Sequence, residues 1–281
     1  MTAKVINGKE IANNIRLELE KKIKESKSAP KLAVVWVGDN SSSAIYVKNK
    51  QKAAREIGME CEIYHLPENV NEVDVISLID RLNNDADVNG VIVQLPLPKH
   101  LNQNKILELI SIEKDVDAFK QEMLGALWLG KSDWASATPE GILYLLHSEL
   151  SDLTGMHAVV VGRSNIVGKP LAALLLQNNC TVTVAHSKTK NLPDIVKNAD
   201  IVVAACGCPK LIKKDWVKSG ALVIDVGINY IDGKIYGDVD FDEVKEVARA
   251  ITPVPGGVGP MTIAMLLENT YKAYLKQKDS L

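Results

Sequence analysis

Lys50 stands where a lysine is not expected. In the stretch AIYVKNKQKAAREIG, a helix advances about 100° per residue, so Tyr46, Val47, Ala53, Ala54 and Ile57 all project within roughly 60° of Lys50. Lys48, Lys52 and Arg55 project from the opposite face, as solvated cations do. Lys50 therefore sits at the centre of the apolar stripe. Desolvation lowers a lysine pKa from about 10.4, and a value near 7–8 would make Lys50 a working acid–base group. Tyr46, at i−4, is on the same face and within reach of the ammonium. The competing reading is a lysine whose stem crosses the apolar face while its head reaches water.

A second constellation is HAVVVGRSNIVGKPLAALLL, a buried strand, a glycine-bearing turn and a helix. Backbone N–H groups at such a helix start can approach a pyrophosphate. The spacing is Gly162-x-Ser164-x-x-x-Gly168 rather than G-x-G-x-x-G, so a ligand-free tight turn stays open as an alternative. The next strand ends Ala185-His186-Ser187-Lys188 and lacks the carboxylate that usually binds the ribose hydroxyls of NAD. A hydroxyl and two potential cations, with Arg163 from the first turn, suit a 2′-phosphate and favour NADP over NAD. His186 reads as a packing or adenine-side residue rather than a catalyst.

Short β-branched runs alternate with helical patterns over all 281 residues, the signature of an α/β fold with mostly parallel sheet covered by helices. Strands are expected from Lys31, Cys61 and Gly90, with helices from near Ser43 and Glu72. The stretch KDVDAFKQEMLGALWLG after Lys114 reads as an irregular loop with short turns. Thr138-Pro139 looks like an N-cap and first-turn proline, and from His157 a second series of strands begins. MTIAMLLENTYKAYLKQ, from Met261, reads as a C-terminal helix packing back on the first domain. These patterns predict a first, open α/β catalytic domain over 1–138, completed by 261–281, and a Rossmann-type domain over 139–260.

A formal net charge of −2 argues against general affinity for nucleic acid or anionic membrane, and no apolar run is long enough to cross a bilayer. The N-terminus mixes Lys with Glu around a surface-helix pattern and shows no signal-peptide core. Cys61, Cys180, Cys206 and Cys208 show neither disulfide nor zinc spacing, so no metal is expected; Cys206 and Cys208 read as small buried hydrophobes. A cytoplasmic protein is the expectation.

The segments VGDNSSSAIYVKNKQKAAREIG, GVIVQLPLPKHL, EKDVDAF, VVVGRSNIVGKPLA, VIDVGIN, GDVDF and ITPVPGGVGPMTIAMLL together resemble the bifunctional methylenetetrahydrofolate dehydrogenase/cyclohydrolase family along nearly the whole chain. The resemblance implies NADP-dependent oxidation of methylene-tetrahydrofolate to the methenyl cation, and hydrolysis of that cation to formyl-tetrahydrofolate. It implies Lys50 as the central catalytic residue and Tyr46 as stacking on or orienting the folate. It further implies Gln94 bonded to the lysine and Asp117 on the pterin edge, with Tyr230, Pro255 and Gly256 lining the folate side. For the cofactor it implies Gly162, Arg163, Ser164, Ser187, Ile228 near the nicotinamide, and Thr262. A homodimer is implied as well.

Three positions depart from the family pattern. Ala118 replaces the usual glycine after KDVD, Lys120-Gln121 replaces His-Pro, and Ala137 replaces a cysteine. The first two bear on the substrate loop, so a second reading is a dehydrogenase with weak or lost cyclohydrolase activity. Tyr46-x-x-x-Lys50 also matches the short-chain dehydrogenase pair, but it precedes the glycine turn by more than a hundred residues, which excludes that family. A shikimate dehydrogenase-type enzyme is the rival fold-mate, and PVPGGVGPMT argues against it. A non-catalytic NADP-binding protein is the rival from another class.

Overall fold

The computed structural model describes residues 2–26 and 28–279. Its first half contains β1 (Lys4–Val5), α1 (Gly8–Glu25), β2 (Lys31–Val37), α2 (Ser41–Glu56), β3 (Glu60–Leu66), α3 (Glu72–Asn84), β4 (Gly90–Val93), α4 (Gln103–Glu108) and α5 (Gln121–Trp128). There follow α6 (Ala137–His147), β5 (His157–Val161), α7 (Gly168–Gln177), β6 (Thr181–Ala185), α8 (Leu192–Val196) and β7 (Ile201–Ala204). The chain closes with β8 (Leu222–Asp225), β9 (Asn229–Ile231), β10 (Lys234–Tyr236), α9 (Phe241–Val244), β11 (Ala250–Ile251) and α10 (Val258–Asp279). Two compact units result, one of Asn14–Ala137 with Ile263–Leu281, the other of Met1–Asn13 with Thr138–Thr262.

The Asn14–Ala137 unit is built on a parallel three-stranded sheet in the order β3-β2-β4. Leu32 to Val35 of the central strand are fully buried, as a strand covered on both faces requires. Val75, Leu78, Ile79 and Leu82 recur at helical spacing on α3 and pack against that sheet. The C-terminal residues complete this unit through polar anchors as well as apolar burial. Buried Asn269 donates from Nδ2 to the carbonyls of Val116 and Ala135 at 3.1 and 2.9 Å.

The other unit holds a six-stranded parallel sheet in the order β1-β11-β8-β7-β5-β6. From β5 the chain runs outward to β6, then returns past β5 to β7. That reversal makes the carboxyl end of β5 a topological switch point, where open α/β sheets bind ligands. Helix α7 buries Leu171 through Leu175 beside it.

The structure corrects the sequence reading in several places. Residues 2–13 group with the six-stranded sheet because β1 pairs with β11, Lys4 opposite Ala250; a two-residue strand carries no readable periodicity. The stretch expected to be irregular contains α5, which buries Met123 and Leu127 one helical turn apart; Gly125 in its middle weakens the sequence signal. Helix α6 begins at Ala137, so Thr138 lies inside the first turn rather than capping it. Helix α10 begins three residues before Met261. Cys61 and Cys180 are buried, Cys206 is partly buried and Cys208 is exposed, so Cys208 is not the core hydrophobe expected. No described helix is long and apolar enough to cross a membrane.

Candidate active site

Helix α2 starts at a side-chain cap, in which the Asn40 carbonyl oxygen accepts from the Ser43 N–H at 3.0 Å, satisfying one orphan donor of the first turn. Along the helix Val47, Ala53, Ala54 and Ile57 are buried while Lys48, Lys52 and Arg55 are exposed. Lys50 and Tyr46, on the apolar side, are partly buried. The Lys50 Nζ donates to Gln94 Oε1 at 3.1 Å. Gln94 follows β4 directly; its backbone N–H donates to Val35 O at 2.8 Å and its Nε2 to Leu95 O at 2.8 Å. The amide nitrogen is thus committed elsewhere, and the amide oxygen is turned to the lysine.

Burial pulls the Lys50 pKa below the ordinary lysine value, while the nearby Asp117 carboxylate holds it up. Asp117 shows the reciprocal: burial pushes its carboxyl above the usual range and the Lys50 ammonium draws it back. Cys61 also stands near Lys50, but burial pushes its thiol up to about 11, so it is a neutral neighbour. A desolvated ammonium near one carboxylate and bonded to one amide oxygen gives up its proton more readily than a solvated lysine.

Asp115, two residues before Asp117, is a buried carboxylate beside it that sequence reading passed over. It is 1% exposed. Its Oδ2 accepts from the Lys120 N–H at 2.9 Å, and among the described residues Oδ1 is buried without a hydrogen-bond partner. Burial, opposed by the Lys120 N–H and reinforced by Asp117, pushes this carboxyl up to about 7. A folded-state pKa raised above the unfolded value contributes stability that is complete below about pH 4 and is lost as pH rises through about 7. The whole contribution is at most on the order of 4 kcal/mol. Urea unfolding of Asp115→Asn beside the wild type, from pH 5 to 8, should show the wild type losing its advantage as pH rises. A constant difference across that range would refute the assignment.

At the switch point of the other unit, Gly162 has φ +145, and a Cβ there would lie 2.1 Å from Ala205 O. A Cβ on Gly168 would lie 2.2 Å from Gly162 O. The turn is therefore as tight as backbone allows, with no side chain at either glycine to hold a ligand off the backbone. Ser164 Oγ accepts from Val167 N at 3.1 Å and Gly168 N at 3.4 Å. The Gly162 N–H donates to Ala185 O at 2.8 Å, which brings the end of β5 beside the end of β6. Arg163, Ser187 and Lys188 are all exposed there. His186 Nδ1 accepts from Lys188 N at 3.1 Å, so that ring nitrogen serves the turn. These residues fit a pyrophosphate with a further phosphate at the strand ends.

Two buried carboxylates that the sequence reading also missed shape the far side of this sheet. Asp225 Oδ1 accepts from Gly227 N and Asp238 N at 2.9 and 2.8 Å. Asp238 Oδ2 accepts from Cys206 N and Gly207 N at 2.7 and 2.9 Å, and its Oδ1 from Asn229 Nδ2 at 2.9 Å. Ile228, 43% exposed, is held between these anchors. The only sequence trace of the pair was its presence in VIDVGIN and GDVDF. Thr262 Oγ1 lies 2.9 Å from Thr138 Oγ1. Tyr230 and Pro255 are exposed in this same unit, and Gly256, at φ +107, accepts from the Lys9 N–H at 3.1 Å.

Residues 6–117 match the family model for the tetrahydrofolate dehydrogenase/cyclohydrolase catalytic domain, and residues 136–278 match the model for its NAD(P)-binding domain. The chain belongs to the tetrahydrofolate dehydrogenase/cyclohydrolase family. Among relatives in that family, the bifunctional protein FolD of Exiguobacterium sibiricum is 50% identical over 274 residues, covering 96% of this chain and 99% of that one. FolD of Listeria innocua is 51% identical, covering 96% of each. A crystal structure of FolD from Campylobacter jejuni superposes with a TM-score of 0.95 at 46% identity, over 99% of this chain and 100% of that one. The Trypanosoma brucei dehydrogenase-cyclohydrolase, solved with NADP cofactor and inhibitor, gives 0.94 at 36% identity, over 98% of each chain. Shikimate dehydrogenase of Aquifex aeolicus reaches 0.54 at 13% identity, a likeness of fold alone.

Proposed function

We propose that this member of the family oxidises 5,10-methylenetetrahydrofolate with NADP to the 5,10-methenyl cation and hydrolyses that cation to 10-formyltetrahydrofolate. The observation that carries the reading is the desolvated Lys50 facing Gln94 Oε1 and the Asp117 charge. NADP, when bound, takes the hydride from the methylene carbon. That step asks the protein mainly for positioning, because the product cation is already activated. Hydrolysis asks for more. Water adds to the methenyl carbon and the bond to one ring nitrogen breaks; as the formyl C=O forms, one of the water's protons goes to that nitrogen and the other to solvent, and Lys50 Nζ is the group placed to carry the transferred proton. Asp117 offers its carboxylate to the N–H edge of the pterin and Tyr46 lines the ring; Tyr230, Pro255 and Gly256 are likewise assigned to the folate.

Cofactor contacts are assigned to Gly162, Ser164, Ile228 and Thr262, with Arg163 and Ser187 on the 2′-phosphate. Each charge-assisted bond to that phosphate contributes about 1.5–3 kcal/mol, so kcat/KM with NADP should exceed that with NAD by about tenfold or more. Arg163→Ala should narrow the ratio by lowering the NADP value alone. Equal use of both cofactors by the wild type would remove the phosphate assignment.

The loop departures give no reason to prefer the reading in which cyclohydrolase activity is lost, since Tyr46, Lys50, Gln94 and Asp117 are all present. The same proposal extends to a cytoplasmic homodimer, supported by the free cysteines and by the edge strand β6, where Val184 is 38% exposed, with Leu176 of the neighbouring helix α7 54% exposed. An unpaired edge beside apolar side chains is suited to two-fold pairing. A monomeric mass by light scattering would remove that part.

A further inference from the structure

The loop that carries Asp117 is bolted at both ends to helix C-termini. At one end buried Lys114 donates from Nζ to Leu82 O at 3.0 Å and to Asp85 O at 2.6 Å, closing the end of α3. At the other end Lys120 Nζ donates to Glu108 O, the last residue of α4. Carbonyls at a helix C-terminus lack intrahelical donors and carry partial negative charge, so an ammonium there is doubly favoured. The Gln121 N–H adds a bond to Glu108 Oε1 at 3.0 Å, and the Lys120 N–H closes the loop on Asp115 Oδ2 at 2.9 Å.

Between the bolts the backbone is kinked. Ala118, 5% exposed, has φ +54, a left-handed conformation that costs a non-glycine residue on the order of 1 kcal/mol or more and persists only where its surroundings enforce it. The kink directly follows Asp117. Releasing an end therefore lets the loop relax at the residue whose charge faces Lys50.

We propose that Glu108, Lys120 and Gln121 form a latch that sets the Asp117 carboxylate against Lys50, so that Lys120 is a positioning residue for folate turnover. The inference rests on the function proposed above. It places Lys120 outside the set that touches the folate and gives it control over the set through one backbone turn.

The latch predicts a split in Michaelis constants that general damage would not produce. In Lys120→Met the stem remains but the ammonium is lost. The KM for methylene-tetrahydrofolate should rise about tenfold, the scale of one charge-assisted bond, while the KM for NADP stays at the wild-type value. Lys120→Arg, which keeps the charge and the donors, should restore the folate KM. Glu108→Ala, which removes the acceptor of the Gln121 N–H and spares the carbonyl, should move the folate KM in the same direction by less. If Lys120→Met fails to fold, Glu108→Ala and Lys120→Arg decide. A wild-type folate KM in Glu108→Ala and Lys120→Met, equal loss for both substrates, or failure of arginine to rescue each overturns the latch. A wild type that reduces no NADP overturns the functional reading itself, a result distinguishable from all of these.

Discussion

Lys50→Met should lose methenyl-tetrahydrofolate hydrolysis by about 10²–10⁴-fold, the range a positioned acid–base group supplies, while keeping a measurable share of hydride transfer. The argument is electrostatic. Burial has already removed water from the ammonium and depressed its pKa, and Gln94 Oε1 at 3.1 Å together with the Asp117 charge keeps a proton there. Methionine fills the same apolar stripe between Val47 and Ala54 without a proton to give, so packing is retained and only the proton path is cut. Hydride transfer draws on the position of the pterin rather than on that proton. Hydrolysis of supplied methenyl-tetrahydrofolate, followed by its absorbance, checks the first half, and cofactor reduction checks the second. Equal loss of both steps would make Lys50 a binding residue instead.

Gly162→Ala should abolish useful cofactor binding. Two penalties act together: φ +145 is a conformation that alanine does not tolerate, and the new Cβ would meet Ala205 O at 2.1 Å, against unyielding backbone. Strain of this kind costs about 1–3 kcal/mol and overpacking a further 1–3. At about 2–4 °C per kcal/mol for a domain of this size class, the melting temperature should fall by roughly 4–24 °C. The folded fraction should bind NADP at least about tenfold more weakly, because the strand-to-helix turn that aims N–H groups at the pyrophosphate cannot close. Titration of NADP by fluorescence reads this directly, and wild-type affinity with a lowered melting temperature would confine Gly162 to a role in stability.

Much of the site was legible because its chemistry conflicts with its local pattern. A lysine among Val47, Ala53, Ala54 and Ile57 contradicts the binary code of an amphipathic helix, and such contradictions mark functional positions. The glycine turn and the strand end without a carboxylate were readable for the same reason. Gln94 and Asp117 came from family resemblance alone, since nothing in VIVQLPLP or KDVDAF says that β4 and the following loop meet α2. Asp115, Asp225 and Asp238 stayed hidden because buried carboxylates that accept from backbone N–H groups have no periodic signature. The departures at Ala118 and Lys120-Gln121 were visible in the sequence, but their consequence was not. Only the fold shows that Ala118 is left-handed and that Lys120 and Gln121 both reach Glu108, an arrangement in which the Gln121 N–H, absent from a proline, takes part. The helix Gln121–Trp128 was missed because it is a short run interrupted by Gly125, too brief to show a helical period.

The measurement that tests the central claim most directly is a single time course of the wild type with methylene-tetrahydrofolate and NADP, recording reduced cofactor and methenyl-tetrahydrofolate separately by absorbance, with Lys50→Met in parallel. The account predicts that reduced cofactor rises while methenyl stays low in the wild type and accumulates in the variant. Reduced cofactor appearing with methenyl accumulating equally in both proteins would contradict it.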